Sequence, residues 1–454
     1  MMERTLATVA RATGGRLHGN DATFTRVCTD TRRLAAGELF VALRGPRFDG
    51  HVFAPRAREL GAAGLVVEHH VSVGLPEVLV DDTRLALGRW AAAWRAQFAL
   101  PVVGVTGSNG KTTTRALIAS ILAERGPTHA TSGNLNNDIG VPLTLLELAP
   151  EHVASVVEMG ANHAGEIAYL TRLARPTVGL VTNVGPAHLE GFGSLEGVAR
   201  AKGELYLELP AEATAVVNVD ERWSSLWREF IGQRRTLYFG TTADADFTLV
   251  PGSLREERAG SRFTLRTPDG EAEIVLPLAG RHNVHNALGA AAAAWAAGAT
   301  LAHIAAGLAR ARGVGGRLKA VAGPNGATVV DDTYNANPAS MRAALDWAAS
   351  LGSPVWFAMG DMGELGAEAP RLHAEIGAYA RAHGVGRLLA LGPLARHAVE
   401  AFGAGAEHFD DVEALITELK RSLPAGVTLL VKGSRSMRME RIVQALVPAI
   451  KEEA

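Results

Sequence analysis

Gly104-Val-Thr-Gly-Ser-Asn-Gly-Lys-Thr-Thr-Thr114 decides how this chain is read. It follows an apolar run ending Pro101-Val-Val103 and precedes Arg115-Ala-Leu-Ile-Ala-Ser-Ile-Leu-Ala123, whose apolar spacing is helical. Strand, glycine-rich turn and helix is the arrangement in which free backbone N–H groups and a helix N-terminus wrap a polyphosphate. Lys111 is placed to reach the β- and γ-phosphates and the Thr112 hydroxyl to meet Mg²⁺. The match departs from the strict G-x-x-x-x-G-K-[ST] pattern, because position 105 is Val and the glycines fall at 104, 107 and 110. A chance glycine loop does not explain Gly-Lys-Thr at a strand-to-helix junction, so the segment predicts nucleotide phosphate binding.

Around this loop the apolar runs alternate with helical stretches. Residues 1–82 carry short β-like runs, among them Leu39-Phe-Val-Ala-Leu43, Gly64-Leu-Val-Val67 and Val78-Leu-Val80, and read as a small α/β unit. Residues 83–315 open with a helix over 83–98. They continue with strands ending in polar or glycine-rich turns: Ala154-Ser-Val-Val-Glu158, Val178-Gly-Leu-Val-Thr-Asn183 and Ala215-Val-Val-Asn218. That is the pattern of a parallel sheet with helices on both faces and chemistry at the C-terminal strand ends. Residues 236–278 alternate like a subsidiary antiparallel sheet. Beyond the hinge-like Gly313-Val-Gly-Gly316, residues 316–454 form a third, Rossmann-like α/β pattern with strands Thr328-Val-Val-Asp331, Val355-Trp-Phe-Ala-Met359, Leu388-Leu-Ala-Leu391 and Thr428-Leu-Leu-Val431. The expected fold is therefore α/β in three domains.

Composition narrows the class. A net charge of −2 offers no basic field for nucleic acid. The single cysteine, Cys28, excludes an internal disulfide and fits a reducing, cytoplasmic setting, and the first residues lack the apolar core of a secretion signal. Residues 287–309 hold no formal charge and are long enough to cross a bilayer. They are mostly Ala and Gly, and Gly298 followed by Thr300 reads as a helix stop and a new N-cap, so two buried globular helices and no membrane insertion are expected. Only six of 45 basic side chains are Lys (111, 202, 319, 420, 432 and 451), and three of these fall inside motifs.

Glu158 ends a strand where a carboxylate near a phosphate loop holds Mg²⁺. His188, in Thr182-Asn-Val-Gly-Pro-Ala-His-Leu-Glu190, reads either as a hydrogen-bonded structural residue or as a metal ligand. Asn283 and Asn286, three apart in Gly280-Arg-His-Asn-Val-His-Asn-Ala287, either cap their helix or bond an adenine edge. Asp332 is suited to ribose hydroxyls, Asn337-Pro338 to a turn, and Arg317 to reaching the γ-phosphate when the domains close.

With these pieces in order, the chain resembles the Mur ligase family over nearly its full length. The resemblance rests on Gly104–Thr114, Glu158-Met-Gly-Ala-Asn-His163, Thr182-Asn-Val-Gly-Pro-Ala-His188, Ala201-Lys-Gly-Glu204 and His282-Asn-Val-His-Asn286. Its D-alanyl-D-alanine-adding branch is indicated by Thr131-Ser-Gly-Asn-Leu-Asn-Asn-Asp-Ile-Gly-Val-Pro142, Asp331-Asp-Thr-Tyr-Asn-Ala-Asn-Pro338, Gly360-Asp-Met-Gly-Glu-Leu-Gly366 and Lys432-Gly-Ser-Arg-Ser-Met437. Thr29-Asp-Thr-Arg-Arg33 and Gly37-Glu-Leu-Phe-Val-Ala-Leu43 resemble the family's uridine-nucleotide region, and the Asp-Asn-Pro-Arg motif of the diaminopimelate-adding relative is absent.

The resemblance implies a monomeric peptidoglycan-precursor ligase that uses ATP and two Mg²⁺ to join D-alanyl-D-alanine to UDP-MurNAc-tripeptide through an acyl phosphate. By motif position it implies ATP contacts from Gly107, Ser108, Asn109, Gly110, Lys111, Thr112, Thr113, Asn283, Asn286, Arg317 and Asp332. Metal ligands would be Thr112, Glu158, His188 and a carbamylated Lys202, with Lys111, His188, Lys202 and Arg317 catalytic. Substrate contacts would come from Thr31, Arg32, Asn136, Asn137, Asn162, Asn335, Asn337 and Arg435. The alternatives are a related amide ligase adding another amino acid, a phosphate-loop switch, for which the Asn-Lys-x-Asp guanine signature is missing, and a nucleotide-binding scaffold that has lost catalysis.

Overall fold

The computed structural model describes residues 3–45, 48–186, 189–257 and 260–447. The strand Val102–Thr106 and the phosphate-loop helix Lys111–Ala123 sit at the centre of a six-stranded, wholly parallel sheet. Strands Val102–Thr106, Ala154–Glu158, Val178–Val181 and Thr214–Asn218 are buried along their whole length, as a parallel sheet covered on both faces requires. Alternate residues feed opposite cores. Val103, Val105, Val156 and Leu180 meet the helices Lys111–Ala123, Arg281–Ala296 and Leu301–Ala309, whereas Val102, Val157 and Val181 meet Gly140–Leu146, Glu166–Ala174 and Leu195–Leu207.

Small residues explain the alanine-rich stretch. Gly307 lies against the phosphate-loop helix so closely that a Cβ there would stand 2.4 Å from Ile121 Cα, and Ser120 Oγ donates to Gly307 O at 2.7 Å. Large side chains would force these helices apart. Gly298 adopts φ +94° and Thr300 caps the second helix by accepting from His303 N, so the uncharged run is two helices. No described helix is long and apolar enough to cross a membrane.

The N-terminal sheet pairs Arg16–His18, Glu77–Leu79, Gly64–Val67, Leu39–Val41 and Val27–Cys28 in that order, with only the first pairing antiparallel. Helix Thr83–Arg95 joins this unit to the central one. Asp82 caps it by accepting from Leu85 N at 2.9 Å, and Ala86, Leu87, Trp90, Ala91 and Trp94 recur at helical spacing on its buried face. Burying a side chain the size of Leu87 stabilises by about 1.5–3 kcal/mol. Trp94 Nε1 also donates to Leu148 O, tying the helix to the central unit.

The C-terminal sheet runs Lys319–Ala322, Thr328–Asp332, Thr428–Lys432, Val355–Gly360, Val385–Leu391 and Ala406–Phe409, parallel except at its first pairing, with helices on both faces.

Two expectations are corrected. Arg235–Phe239 is the last strand of the central parallel sheet, pairing with Thr214–Asn218, so only the strands within 248–276 form the antiparallel sheet. Its alternation reflects an edge strand with one face half covered. Asn337-Pro338 is not a free turn: Asn337 is the N-cap of helix Pro338–Ser350, accepting from Ser340 N at 2.9 Å, with Pro at the first helical position.

Candidate active site

The loop after Val102–Thr106 is shaped by two glycines with left-handed φ, Gly107 at +142° and Gly110 at +78°. Gly110 is the N-cap of Lys111–Ala123 and supplies no side-chain cap, and the first backbone bond of the helix is Thr114 N to Gly110 O. The preceding N–H groups therefore face the cleft as an anion site. The loop is braced by the neighbouring strand end. Asn183 Oδ1 accepts from Asn109 N at 2.9 Å, and Asn109 O accepts from Thr182 Oγ1 at 2.6 Å and from Asn183 Nδ2 at 3.1 Å. Lys111 curls back, donating to Gly107 O at 2.8 Å. Burial pushes its amine below the ordinary lysine range, Arg317 adds to this, and Glu158 opposes it.

Glu158 is 2 % exposed at the end of its strand. Its Oε1 accepts from Asn136 Nδ2 at 2.9 Å and Thr112 Oγ1 at 3.2 Å. Among the described residues its Oε2 has no hydrogen-bond partner, with Arg115 Nε 3.6 Å away. A buried carboxylate oxygen left open beside a threonine hydroxyl suits a hard cation such as Mg²⁺. Among the described residues no group of three or more His, Cys, Asp or Glu side chains is gathered for a metal. His188 lies outside the described residues. Lys202 is 1 % exposed, with its Nζ 3.4 Å from Ala161 O and 5.2 Å from the Phe192 ring centroid. Burial first, and then Lys111, bring its pKa down to about 7 against the pull of Glu166 and Glu204.

A single cleft of about 1020 Å³ brings most of the expected residues together. It is lined by Ser108 through Thr113, Asn136, Asn137, Glu158, Asn162, Asn283, Asn286, Arg317, Asp332, Asn335, Asn337 and Lys432. Gly107 sits behind the lining and turns the loop. Asn283 and Asn286 do not cap their helix, whose N-cap is Gly280. Asn283 Nδ2 donates to Ala279 O, and Asn286 presents its Oδ1 2.4 Å from where a Gly110 Cβ would be.

From the C-terminal unit, Arg317 Nη2 donates to Thr112 Oγ1 at 2.9 Å and its guanidinium lies 4.5 Å from the Tyr334 ring centroid. Asn337 Nδ2 donates to Asn109 Oδ1 at 2.7 Å, and Asp332 pairs with Lys432 at 2.7 Å. Three expected substrate residues stand apart from this lining. Arg32 is exposed and paired with Asp30, its neighbour Thr31 is half-buried on the same turn, and Arg435 pairs with Glu440.

Three family descriptions match consecutive parts of the chain: the Mur ligase family catalytic domain at residues 23–95, the Mur ligase middle domain at 105–294 and the Mur ligase glutamate ligase domain at 316–435. A UDP-N-acetylmuramoyl-tripeptide–D-alanyl-D-alanine ligase of Escherichia coli K12 is 46% identical over 449 residues, covering 98% of this chain and 99% of that one. The chain belongs to the Mur ligase family. Among solved structures, a MurF of Acinetobacter baumannii is similar at a TM-score of 0.91, with 36% identity and 98% of each chain covered. A MurF ligase of Thermotoga maritima in complex with ADP is similar at 0.82, with 27% identity over 92% of this chain and 96% of that one.

Several residues of this Mur ligase site escaped the sequence reading. Thr182 and Asn183 stood inside a quoted motif, yet nothing in the motif says that they brace the nucleotide loop. Arg115 reads as an ordinary helix residue, and only the fold turns it toward Glu158. Asn337 is an expected substrate contact, and only its capping role lay outside that reading, although Asn-Pro followed two residues later by Ser is also an N-cap pattern.

Proposed function

We propose that the chain joins D-alanyl-D-alanine to the terminal carboxylate of UDP-MurNAc-tripeptide with ATP, giving UDP-MurNAc-pentapeptide, ADP and phosphate. The observation that carries this reading is the shared cleft: nucleotide-loop residues 108–113, Glu158 and the asparagines 136, 137 and 162 line one cavity with Arg317 and Asp332 of the C-terminal unit.

The chemistry must bring a carboxylate against an anionic triphosphate. Two unit charges about 4 Å apart repel by about 4 kcal/mol at an effective dielectric of 20. Lys111 and Arg317 lower that barrier by facing the terminal phosphate, which the tripeptide carboxylate attacks to give the acyl phosphate and ADP. Bound Mg²⁺ would supply further charge neutralisation at the phosphates, with Thr112 and Glu158 as its protein ligands and His188 and a Lys202 carbamate as those of a second ion. A lysine near half-neutral at pH 7 has the free amine that carbamate formation from CO₂ needs, which supports this role for Lys202. The dipeptide amine then attacks the acyl carbon and phosphate leaves. Asn283 and Asn286 would meet the adenine, Asp332 the ribose, and Asn136, Asn137, Asn162, Asn335 and Asn337 the peptide substrates. Thr31 and Arg32 would serve the uridine nucleotide in the N-terminal unit, and Arg435 would approach only on further movement of the C-terminal unit.

We also propose domain boundaries near 82/83 and 315/316. The family matches at 105–294 and 316–435 support the second. At the first, the helix Thr83–Arg95 packs on both neighbours. Phosphate release with ATP and UDP-MurNAc-tripeptide tests the whole reading. It should require D-alanyl-D-alanine and fail with L-alanyl-L-alanine, glycine or no amine, and release that is indifferent to the amine refutes it.

A further inference from the structure

The asparagine-rich loop that reaches Glu158 continues to an ion pair with no part in the chemistry above. Asn136 Nδ2 bonds Glu158 Oε1, and two residues on Asp138 Oδ2 meets Arg84 Nη2 at 2.6 Å. Asn137 fixes the turn between them, its Oδ1 accepting from Gly140 N at 2.8 Å. Arg84 stands on the first turn of Thr83–Arg95, so it comes from a rigid element rather than a loop tip. Both partners line the cleft and are partly exposed, at 42% for Arg84 and 36% for Asp138, yet Arg84 Nε is buried and has no hydrogen-bond partner among the described residues. The ion pair with Asp138 therefore leaves the hydrogen-bonding capacity of the guanidinium incompletely used.

Position gives the pair its meaning. Two residues of chain span at most about 7 Å, so Asp138 is tethered close to the asparagine that bonds Glu158, and both line the same cleft. In the ligase reading, on which this inference rests, the residue whose carboxylate is activated beside Glu158 is the third of the tripeptide. Its side chain is the group long enough to cover that distance.

We propose that Arg84 and Asp138 read the distal end of that third residue and select one ending in both an ammonium and a carboxylate, as diaminopimelate does, over one ending in an ammonium alone, as lysine does. The substrate carboxylate accepts from Arg84 while its ammonium donates to Asp138, so one internal ion pair is exchanged for two intermolecular ones. A lysine ammonium competes with Arg84 for Asp138 and strands the guanidinium, which is discrimination by penalty as well as by contact.

The test compares kcat/KM for UDP-MurNAc-tripeptides ending in meso-diaminopimelate and in lysine, in wild type, Arg84→Gln and Arg84→Lys, with thermal melts as a folding control. Wild type is expected to favour the diaminopimelate substrate by about tenfold or more. Arg84→Gln should collapse that ratio through KM, and Arg84→Lys, which keeps the charge without the fork, should retain part of it. Equal losses on both substrates in either folded variant, or a wild type without preference, overturn the inference and leave the ligase reading standing. A wild type that releases phosphate with neither tripeptide overturns both.

Discussion

Replacing Lys202 with methionine should make the protein more stable near neutral pH and inactive at once. The amine is 1 % exposed, with one long hydrogen bond to Ala161 O and the Phe192 ring beneath it. Its pKa falls from 10.5 to about 7. Near pH 7 almost every unfolded chain carries the Lys202 proton and only about half of native molecules do. The unfolded state thus binds more protons from about pH 7 to about 10.5, and stability rises with pH across that window. Below it the burial cost is complete, about 5 kcal/mol, and it vanishes as pH approaches the unfolded value. Between about pH 7 and about pH 9.5 the wild type should gain about 3 kcal/mol relative to Lys202→Met. Urea titrations of both proteins at the two pH values, in CO₂-free buffer, read this directly. If the two proteins respond identically to pH, then Lys202 is not held near neutrality and the case for its carbamate collapses. Phosphate release by Lys202→Met should be undetectable, because methionine offers no amine to modify.

Gly110→Ala places a Cβ 2.4 Å from Asn286 Oδ1 at φ +78°, so ADP affinity by calorimetry should fall at least tenfold, and adding Asn286→Gly should recover only part of the loss because the backbone strain of about 1–2 kcal/mol remains. Asn337→Ala loses both the cap to Ser340 N and the tie to Asn109 Oδ1, costing about 1 kcal/mol in a thermal melt and raising KM for ATP; Asn337→Asp should keep the melt but not the KM. Arg317→Lys keeps the charge and loses the Nη2 bond to Thr112 and the guanidinium contact with the Tyr334 ring, so kcat should fall about a hundredfold while nucleotide Kd moves far less.

The nucleotide loop, the strand ends and the split of the alanine-rich stretch were legible because each is a local pattern. Glycine spacing, an acid closing an apolar run, and Gly298 before Thr300 all act over a few residues. What stayed hidden depends on register between distant segments. Nothing near Asn109 announces that Asn337, far along the chain, will bond its side chain, nor does helix Thr83–Arg95 announce that Arg84 will face Asp138. The edge strand Arg235–Phe239 misled for the same reason, since its alternation is real and its partner is remote.

The cations of the cleft stand in electrostatic conflict with one another. Lys111 and Arg317 crowd around Thr112 and Glu158, and Arg317 is among the causes that push the Lys111 amine down, so without a polyanion the cations oppose one another. Arg317 bonds the hydroxyl of Thr112 and Lys111 folds onto the carbonyls of its own loop, with Glu158 as the nearby counter-charge. In the proposed function a triphosphate would remove the conflict by accepting from both. Because Arg317 comes from the C-terminal unit and Lys111 from the central one, the proposed function predicts that the neutralisation which binds nucleotide also holds the two units together, and that the cleft then excludes water when the acyl phosphate must be protected from it.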